Sequence, residues 1–218
     1  MNEEDCARDL VRSRDRGAVQ ALQQLEFLTK KARMLELESE MSRVQASIEA
    51  KQKSFRPHPI IDEFLSQFHP DKYGEQGRSL CLLLVGDSRQ GKSTKAISLF
   101  STANTLKVSC QGLPPGVLPS LQRFNRSKHR CIVWDEIRPD QVLNNRELFQ
   151  SNQFEQVLSQ SVCNQHSYGV WLYFTAMVLC ANEFEFYSPR ITSQDSAWLE
   201  VNIRVAQLGA DQRWFLNV

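Results

Sequence analysis

The chain has 218 residues, of which 41 % are hydrophobic and 23 % charged, as expected of one well-buried globular domain with an appendage or of two small domains. The net charge of +1 excludes a global polycation, so any contact with nucleic acid has to come from a local patch. No apolar stretch suits a signal peptide or a membrane span, and the six cysteines lack metal-ligand spacing, which predicts an intracellular protein with no membrane partner.

The first segment of the chain has the features of a long helix. Residues 15–53 contain no proline and are rich in helix-forming residues. Pro57 and Pro59 end this pattern, which places a domain boundary there. Residues 1–56 are therefore predicted to be a helical oligomerisation segment, the alternative being a helix packed on its own domain. Two heptad-like stripes, whose register slips by one position, carry this prediction: Ala21, Leu25, Leu28, Ala32 and Leu35, then Met34, Leu37, Met41, Val44 and Ile48.

After the prolines, apolar runs alternate with helical or loop segments. The alternation predicts an α/β domain over residues 57–218, with a central, mainly parallel sheet. Cys81, Cys131 and Cys180 fall in these runs and are predicted to be reduced, buried thiols. The predicted elements are helices at 60–68 and from 94 to 100, a turn at 69–74, and strands at 80–85, 106–110, 131–134, 173–180, 198–205 and 214–218.

The stretch that follows the first strand matches the complete pattern GxxxxGK[ST], which is the phosphate-binding P-loop. Gly86 and Gly91 let the backbone curl so that its N–H groups point at phosphate oxygens beside a helix N-terminus. Lys92 is predicted to reach the β- and γ-phosphates, and Ser93 to offer its hydroxyl to Mg²⁺. The predicted cofactor-binding residues are Gly86, Asp87, Ser88, Arg89, Gln90, Gly91, Lys92, Ser93 and Thr94.

Two later strands also end in polar side chains. Asp135 and Glu136 follow an apolar strand, as a Walker B site requires: Asp135 would hold Mg²⁺ and Glu136 would deprotonate the attacking water. A solvated loop start is the alternative for this pair. Asn182 ends a further apolar run, where an amide can contact the γ-phosphate and the lytic water, although asparagine is also an ordinary turn residue.

These three motifs in this order resemble the superfamily 3 helicases, and in particular the helicase part of the replication initiator (Rep) proteins of circular single-stranded DNA viruses and their cellular relatives. The resemblance covers roughly residue 59 to the end. It implies an AAA+-like ATPase that uses ATP and Mg²⁺, assembles as a homo-oligomer in the form of a hexameric ring, and moves single-stranded DNA with 3′-to-5′ unwinding. It also implies DNA replication in the nucleus or cytoplasm of a host, and an arginine supplied by the neighbouring subunit, for which Arg190 is the candidate and Arg204 the alternative.

The sequence departs from the family pattern in two ways. Its four histidines do not form the His-hydrophobic-His pair of the Rep nuclease, so nicking of DNA by that route is not expected. The DNA-gripping hairpin of the family lies between Walker B and motif C, which corresponds to Asn182 here, but residues 147–189 contain no lysine or arginine. Tyr168 and Trp171, or the basic cluster Arg123, Arg126, Lys128, His129 and Arg130, are alternative DNA contacts, beside the ordinary interpretations of core packing and a solvated basic loop.

Three functions remain open from the sequence. The first is a DNA-stimulated ATPase and helicase, with Lys92, Glu136, Asn182 and Arg190 as catalytic residues and Ser93 and Asp135 as metal ligands. The second is a switch in which ATP promotes oligomerisation and no strand is moved. The third is a relic that keeps the fold with little activity.

Overall fold

The computed structural model describes residue 28 and residues 55–75, 77–151, 155–159, 167–208 and 212–215. The chain divides into two units, Met1–Ala46 and Ser47–Val218. In the first unit only Leu28 is described; it is helical and 56 % exposed. The predicted long helix and its heptad stripes otherwise lie outside the described residues, so the oligomerisation segment stays a prediction.

The second unit is a mixed α/β fold. Its strands are β1 (Cys81–Val85), β2 (Thr105–Ser109), β3 (Cys131–Asp135), β4 (Glu155–Ser159), β5 (Ser167–Trp171), β6 (Ala176–Ala181) and β7 (Ile203–Gln207). Its helices are α1 (Pro59–Ser66), α2 (Lys92–Ser98), α3 (Pro139–Leu143), α4 (Arg146–Phe149) and α5 (Ser193–Asn202), and Pro70–Lys72 forms a 3₁₀ turn.

Five strands form the central sheet in the order β2-β3-β6-β1-β7, and every neighbouring pair is parallel. Val85 at the end of β1 pairs with Ala181, and Asp135 at the end of β3 pairs with Cys180. The strands therefore end level with one another, and the loops that follow them share one edge of the sheet, here called the carboxyl edge. The opposite edge, where the strands begin, is called the amino edge.

Both faces of the sheet are covered, which explains why its central strands are continuous apolar runs. One face, with Leu83, Trp134 and Leu179, packs with residues of α4 and α5. The other face, with Leu84 and Val178, packs with residues of α1, α2 and the C-terminal Trp214. Burying each such side chain contributes roughly 1.5–3 kcal/mol. The predicted parallel sheet is confirmed, and the fold is consistent with that of a P-loop NTPase.

The strand predicted at 198–205 is wrong in its first half, because residues 198–202 end helix α5. Leu199, Val201 and Ile203 alternate with polar residues, which imitates the period of a strand. The helix is instead started by a capping box, in which Thr192 and Asp195 each bind the backbone N–H of the other. Val201 is 66 % exposed, as a helix surface allows.

The C-terminal strand predicted at 214–218 is described only in part. Phe215 forms an isolated antiparallel bridge with Phe55, and residues 216–218 lie outside the described range. An antiparallel pair, β4 and β5, lies between β3 and β6 in the chain, where the resemblance predicts a hairpin. No helix in the described part of the chain is both long and apolar enough to cross a bilayer.

The predicted buried thiols are confirmed. Cys81, Cys131 and Cys180 are free and buried, and so is Cys110 at the end of β2. Burial raises the pKa of the Cys81 thiol to about 12. Burial, with a smaller contribution from the Asp135 carboxylate, also raises the pKa of Cys110 to about 12.

Candidate nucleotide-binding site

Strands β1, β6 and β3 are neighbours, and the three predicted motifs follow these strands at the carboxyl edge. Gly86 follows β1, Asn182 follows β6, and Asp135 is the last residue of β3. Ligands of open parallel sheets bind at this edge, because the loops that converge there carry the polar side chains. The strand order thus brings together residues that are up to 96 positions apart in the chain.

The loop between β1 and α2 requires glycine at two positions. Gly86 has φ of 152° and Gly91 has φ of 88°, which L-residues rarely adopt. A Cβ atom on Gly86 would overlap the side-chain amide of Gln90, and one on Gly91 would overlap the ring of Phe215. Arg89 also has a positive φ, of 67°. The P-loop is therefore a tight turn whose shape leaves no room for a side chain at either glycine.

The Lys92 ammonium group lies inside this turn and is buried. Its Nζ donates to the backbone carbonyl oxygens of Gly86 and Asp87, at 2.7 and 2.8 Å, and to Oδ1 of Asn182 at 2.9 Å. Because an ammonium group has three donors and no acceptor, these contacts satisfy it fully. Lys92 therefore connects the P-loop to motif C.

Asp135 receives one contact on each carboxylate oxygen. The Ser93 hydroxyl donates to Oδ1 at 2.6 Å, and Lys107 Nζ lies 2.6 Å from Oδ2. The first contact is the pairing of P-loop serine and Walker B aspartate that the sequence predicts for Mg²⁺. The second was not predicted, since Lys107 lies on β2, and only the pairing of β2 with β3 brings it near.

Glu136 directly follows β3 and has the left-handed conformation, with φ of 57°. A residue other than glycine in this region costs on the order of 1 kcal/mol, and such strain is concentrated at functional sites. The Glu136 carboxylate is exposed, and its Oε2 accepts a hydrogen bond from Asn182 Nδ2 at 3.3 Å. The Asn182 amide thus joins the Lys92 ammonium to the Glu136 carboxylate.

The residues present fit a nucleoside triphosphate and Mg²⁺. Backbone N–H groups of a glycine-shaped loop and a lysine ammonium group suit phosphate oxygens. Mg²⁺ is commonly held by one or two carboxylates together with substrate phosphates and water, and the adjoining Ser93 and Asp135 oxygens match that donor set. Within the described residues, no group of three or more His, Cys, Asp or Glu side chains could hold a metal ion by itself.

The remaining predicted residues lie around this centre. Asp87 and Ser88 are exposed in the loop, and Thr94 is half-buried on α2. Arg190 is exposed in the segment between β6 and α5. Arg204 is the second residue of β7, pairs with Leu82 near the start of β1 and lies 3.8 Å from Glu63 of α1. The structure therefore brings Arg204 to the amino half of the sheet, away from the convergent residues.

The C-terminal segment also contacts the P-loop, which sequence reasoning missed. The Trp214 N–H donates to the Gln90 carbonyl oxygen at 2.9 Å, and the Arg56 N–H donates to the Trp214 carbonyl oxygen at 2.8 Å. The rings of Phe215 and Phe55 lie 4.7 Å apart. The aromatic character of 214–215 indicated burial but gave no indication of what would cover it.

A separate surface groove of about 570 Å³ lies between the segment that precedes α5 and α5 itself. Its walls include Tyr187, Ile191 and Glu200. No cation among the described residues lines it, so the convergent motif residues are the better candidate for the nucleotide site.

Comparison with known proteins gives no family assignment. No family model matches the chain, and no curated protein sequence is significantly similar to it. Among solved structures, the chain is similar to the S. cerevisiae Hsp104-ADP complex, with a TM-score of 0.39 and 11 % sequence identity. The match covers 79 % of this chain and 36 % of that chain, so this protein spans about a third of the length of Hsp104.

Proposed function

We propose that this protein binds ATP with Mg²⁺ at the carboxyl edge of its sheet and hydrolyses it. One observation carries the proposal: the side chains of Lys92 and Glu136 both contact Asn182, beside the Ser93–Asp135 pair. The alternatives are a structural ion pair and a solvated turn. Neither would require a P-loop, a Ser–Asp pair suited to a metal ion and an exposed carboxylate to lie side by side.

Each residue has a distinct role in this proposal. Lys92 leaves its carbonyl partners to bind phosphate oxygens, and Ser93 and Asp135 hold Mg²⁺. When bound, Mg²⁺ neutralises charge on the phosphate oxygens. Glu136 orients a water molecule and accepts its proton, while the Asn182 amide positions both water and phosphate. Arg190, exposed at the surface, is the candidate that completes the site of a neighbouring subunit.

The finer function we propose is that of a superfamily 3 type motor, in which hydrolysis moves single-stranded DNA through a homo-oligomer during viral-type DNA replication. The order of the three motifs supports it. The same proposal includes ATP rather than GTP as the nucleotide, and a hexameric ring as the oligomer. Both follow from the resemblance to Rep proteins.

The test compares nucleotide binding with phosphate release. Glu136→Gln should keep the affinity for a fluorescent ATP analogue and lower the rate of phosphate release by about 100-fold or more, since general-base catalysis contributes that much. Lys92→Ala should abolish binding itself. Glu183→Gln, which changes an exposed carboxylate beside Asn182, is the matched control and should leave both quantities unchanged.

The proposal is overturned if the wild-type protein with Mg²⁺ neither binds the analogue nor releases phosphate. It also fails if Glu136→Gln hydrolyses ATP as fast as the wild type. In either case the convergent residues would be a structural network.

A second candidate function is an ATP-dependent assembly switch that moves no strand. The absence of lysine and arginine from residues 147–189 favours it, because the hairpin there offers no cation to a phosphate backbone. Sedimentation and ATPase assays, each with and without single-stranded DNA, separate the two. If ATP induces oligomers and DNA does not change the ATPase rate, the switch is supported and the motor is excluded.

A further inference from the structure

Aromatic rings form a connected row at the amino edge of the sheet. Trp171 at the end of β5 stacks with Tyr173 at a centroid distance of 6.0 Å, and Tyr173 contacts Tyr73 at 5.5 Å. Tyr173 is buried and its hydroxyl accepts the Gly74 N–H at 2.9 Å, so the middle of the row is fixed. The two outer rings are partly exposed: Trp171 is 42 % and Tyr73 is 53 % exposed.

A cation already lies on this row. The Arg126 guanidinium group is 5.1 Å from the centre of the Trp171 ring, and its Nη1 donates to the Thr175 hydroxyl at 3.1 Å. Thr175 immediately precedes β6, so these contacts attach the loop before β3 to the amino edge. Guanidinium and aromatic surfaces side by side are the combination that binds unstacked bases.

Further cations of the same loop are exposed and have no acidic partner among the described residues: Arg123, Lys128 and Arg130. The cause lies in the sequence, since residues 88–134 contain eight lysines or arginines and no aspartate or glutamate. Of the two acids next to Tyr73, Glu75 is paired with Lys72 at 3.3 Å, whereas Asp71 lies 3.1 Å from His69, which is charged only when protonated. Among the described residues, the cations of the loop before β3 thus outnumber the one carboxylate beside Tyr73 that has no lysine or arginine partner.

His129 fixes the shape of this loop. It is buried, and its Nδ1 accepts the Asn125 N–H at 2.9 Å. Burial, with the positive charges of Lys128 and Arg123, lowers the pKa of His129, so its ring stays neutral and keeps this acceptor near pH 7. The loop therefore presents its cations from an ordered turn.

We propose that this amino-edge patch, formed by Tyr73, Trp171 and Arg126 with Arg123, Lys128 and Arg130, binds single-stranded nucleic acid. Bases stack on Trp171 and Tyr73, and the cations contact the phosphates. Duplexes fit less well, because their bases are already stacked. This patch is the surface through which the proposed motor would contact its strand. Strand binding by the patch rests on the proposed function only for its coupling to ATP hydrolysis. It explains how the chain grips a strand although residues 147–189 supply no cation.

The test is fluorescence anisotropy of a labelled 20-nucleotide oligo-dT with the full chain at low salt, with an oligo-U of equal length to distinguish DNA from RNA. Trp171→Ala should weaken binding by about tenfold, the order expected for the loss of one base stack. Trp171→Phe should retain most of the affinity. Replacing Arg123, Lys128 and Arg130 together by alanine should lower the salt slope by about 2, at about 0.7 for each phosphate contact on a single strand.

Tyr187→Ala and Arg138→Ala are the matched controls, because each removes an exposed ring or cation outside the patch, and neither should change affinity. Circular dichroism and binding of the ATP analogue check that the patch variants fold. Unchanged oligonucleotide affinity in folded Trp171→Ala and triple variants overturns the proposal. So does a wild-type chain that binds the analogue but neither oligonucleotide, which would leave the proposed ATPase standing. Oligonucleotide binding without nucleotide binding would support the patch and defeat the proposed function.

Discussion

At the scale of single residues, the Asp135 carboxylate contacts both a hydroxyl group and a positively charged side chain. Its carboxylate accepts the Ser93 hydroxyl on one oxygen and lies against the Lys107 ammonium group on the other. A Mg²⁺ ion held by Asp135 would approach the same carboxylate and would experience the positive charge of Lys107. If Asp135 holds Mg²⁺ as proposed, the Lys107 ammonium group would compete with the metal for this carboxylate.

This competition gives a prediction. Lys107→Ala should lower the Mg²⁺ concentration that half-saturates ATP binding by up to about fivefold, since a partly exposed ion pair is worth roughly 0.2–1 kcal/mol. Lys107→Arg keeps the positive charge and should leave the midpoint near that of the wild type. The measurement is a Mg²⁺ titration of bound fluorescent analogue. A higher midpoint in Lys107→Ala would mean instead that Lys107 binds the phosphates.

At the scale of elements, the C-terminal segment 212–215 packs on the P-loop. Trp214 is fully buried and binds Gln90 through its backbone, while the Phe215 ring fills the space beside Gly91. Arg56, near the first described residue of this domain, donates its backbone N–H to the Trp214 carbonyl oxygen. The C-terminal end of the described domain therefore packs directly on the loop between β1 and α2, and the N-terminal end packs on the C-terminal end.

Removing the ring should therefore affect nucleotide binding through the loop. Phe215→Ala should reduce the free energy of unfolding by about 1–3 kcal/mol, less than for a fully buried phenylalanine, and should also weaken binding of the ATP analogue. Phe174→Ala removes a comparably half-buried ring at the amino edge. It should lower stability without weakening nucleotide binding. Urea unfolding and analogue titration measure the two effects, and equal nucleotide affinity in Phe215→Ala and the wild type would contradict this role.

At the scale of the whole molecule, burial in and beside the central sheet shields four cysteine thiols from reagents. Cys81, Cys131 and Cys180 lie within β1, β3 and β6, and Cys110 follows β2. Burial both excludes reagents and raises the pKa of each thiol, so little thiolate exists near neutral pH. These cysteines should react only when the sheet opens.

Thiol labelling should accordingly report global unfolding. In a Cys6→Ser, Cys163→Ser background, a disulfide reagent should modify none of these four thiols in buffer and all of them over the same urea range in which the circular dichroism is lost. ATP with Mg²⁺ should shift this range to higher urea, because a ligand that binds only the folded state stabilises it. Chelation of Mg²⁺ should reverse the shift. Rapid labelling in buffer would show that single strands open independently.

The local features of this protein follow from short stretches of its sequence. The P-loop, the acidic pair Asp135–Glu136 and the positions of the buried strands could be predicted, because each depends on a few consecutive residues and on an apolar run covered on both faces. The helix at 193–202 was missed since its alternating apolar residues imitate a strand, although the Thr192–Asp195 capping box was present in the sequence.

The fold, rather than any local pattern, sets which strands are neighbours. By inserting β6 between β1 and β3, it lets Asn182 contact both Lys92 and Glu136; by pairing β2 with β3, it brings Lys107 to Asp135. It also placed Phe215 on Gly91 and joined Arg126 to Trp171. The physical reason is that strands pair through backbone hydrogen bonds, which all residues except proline offer alike. An apolar strand therefore specifies that it is buried but does not specify its neighbour.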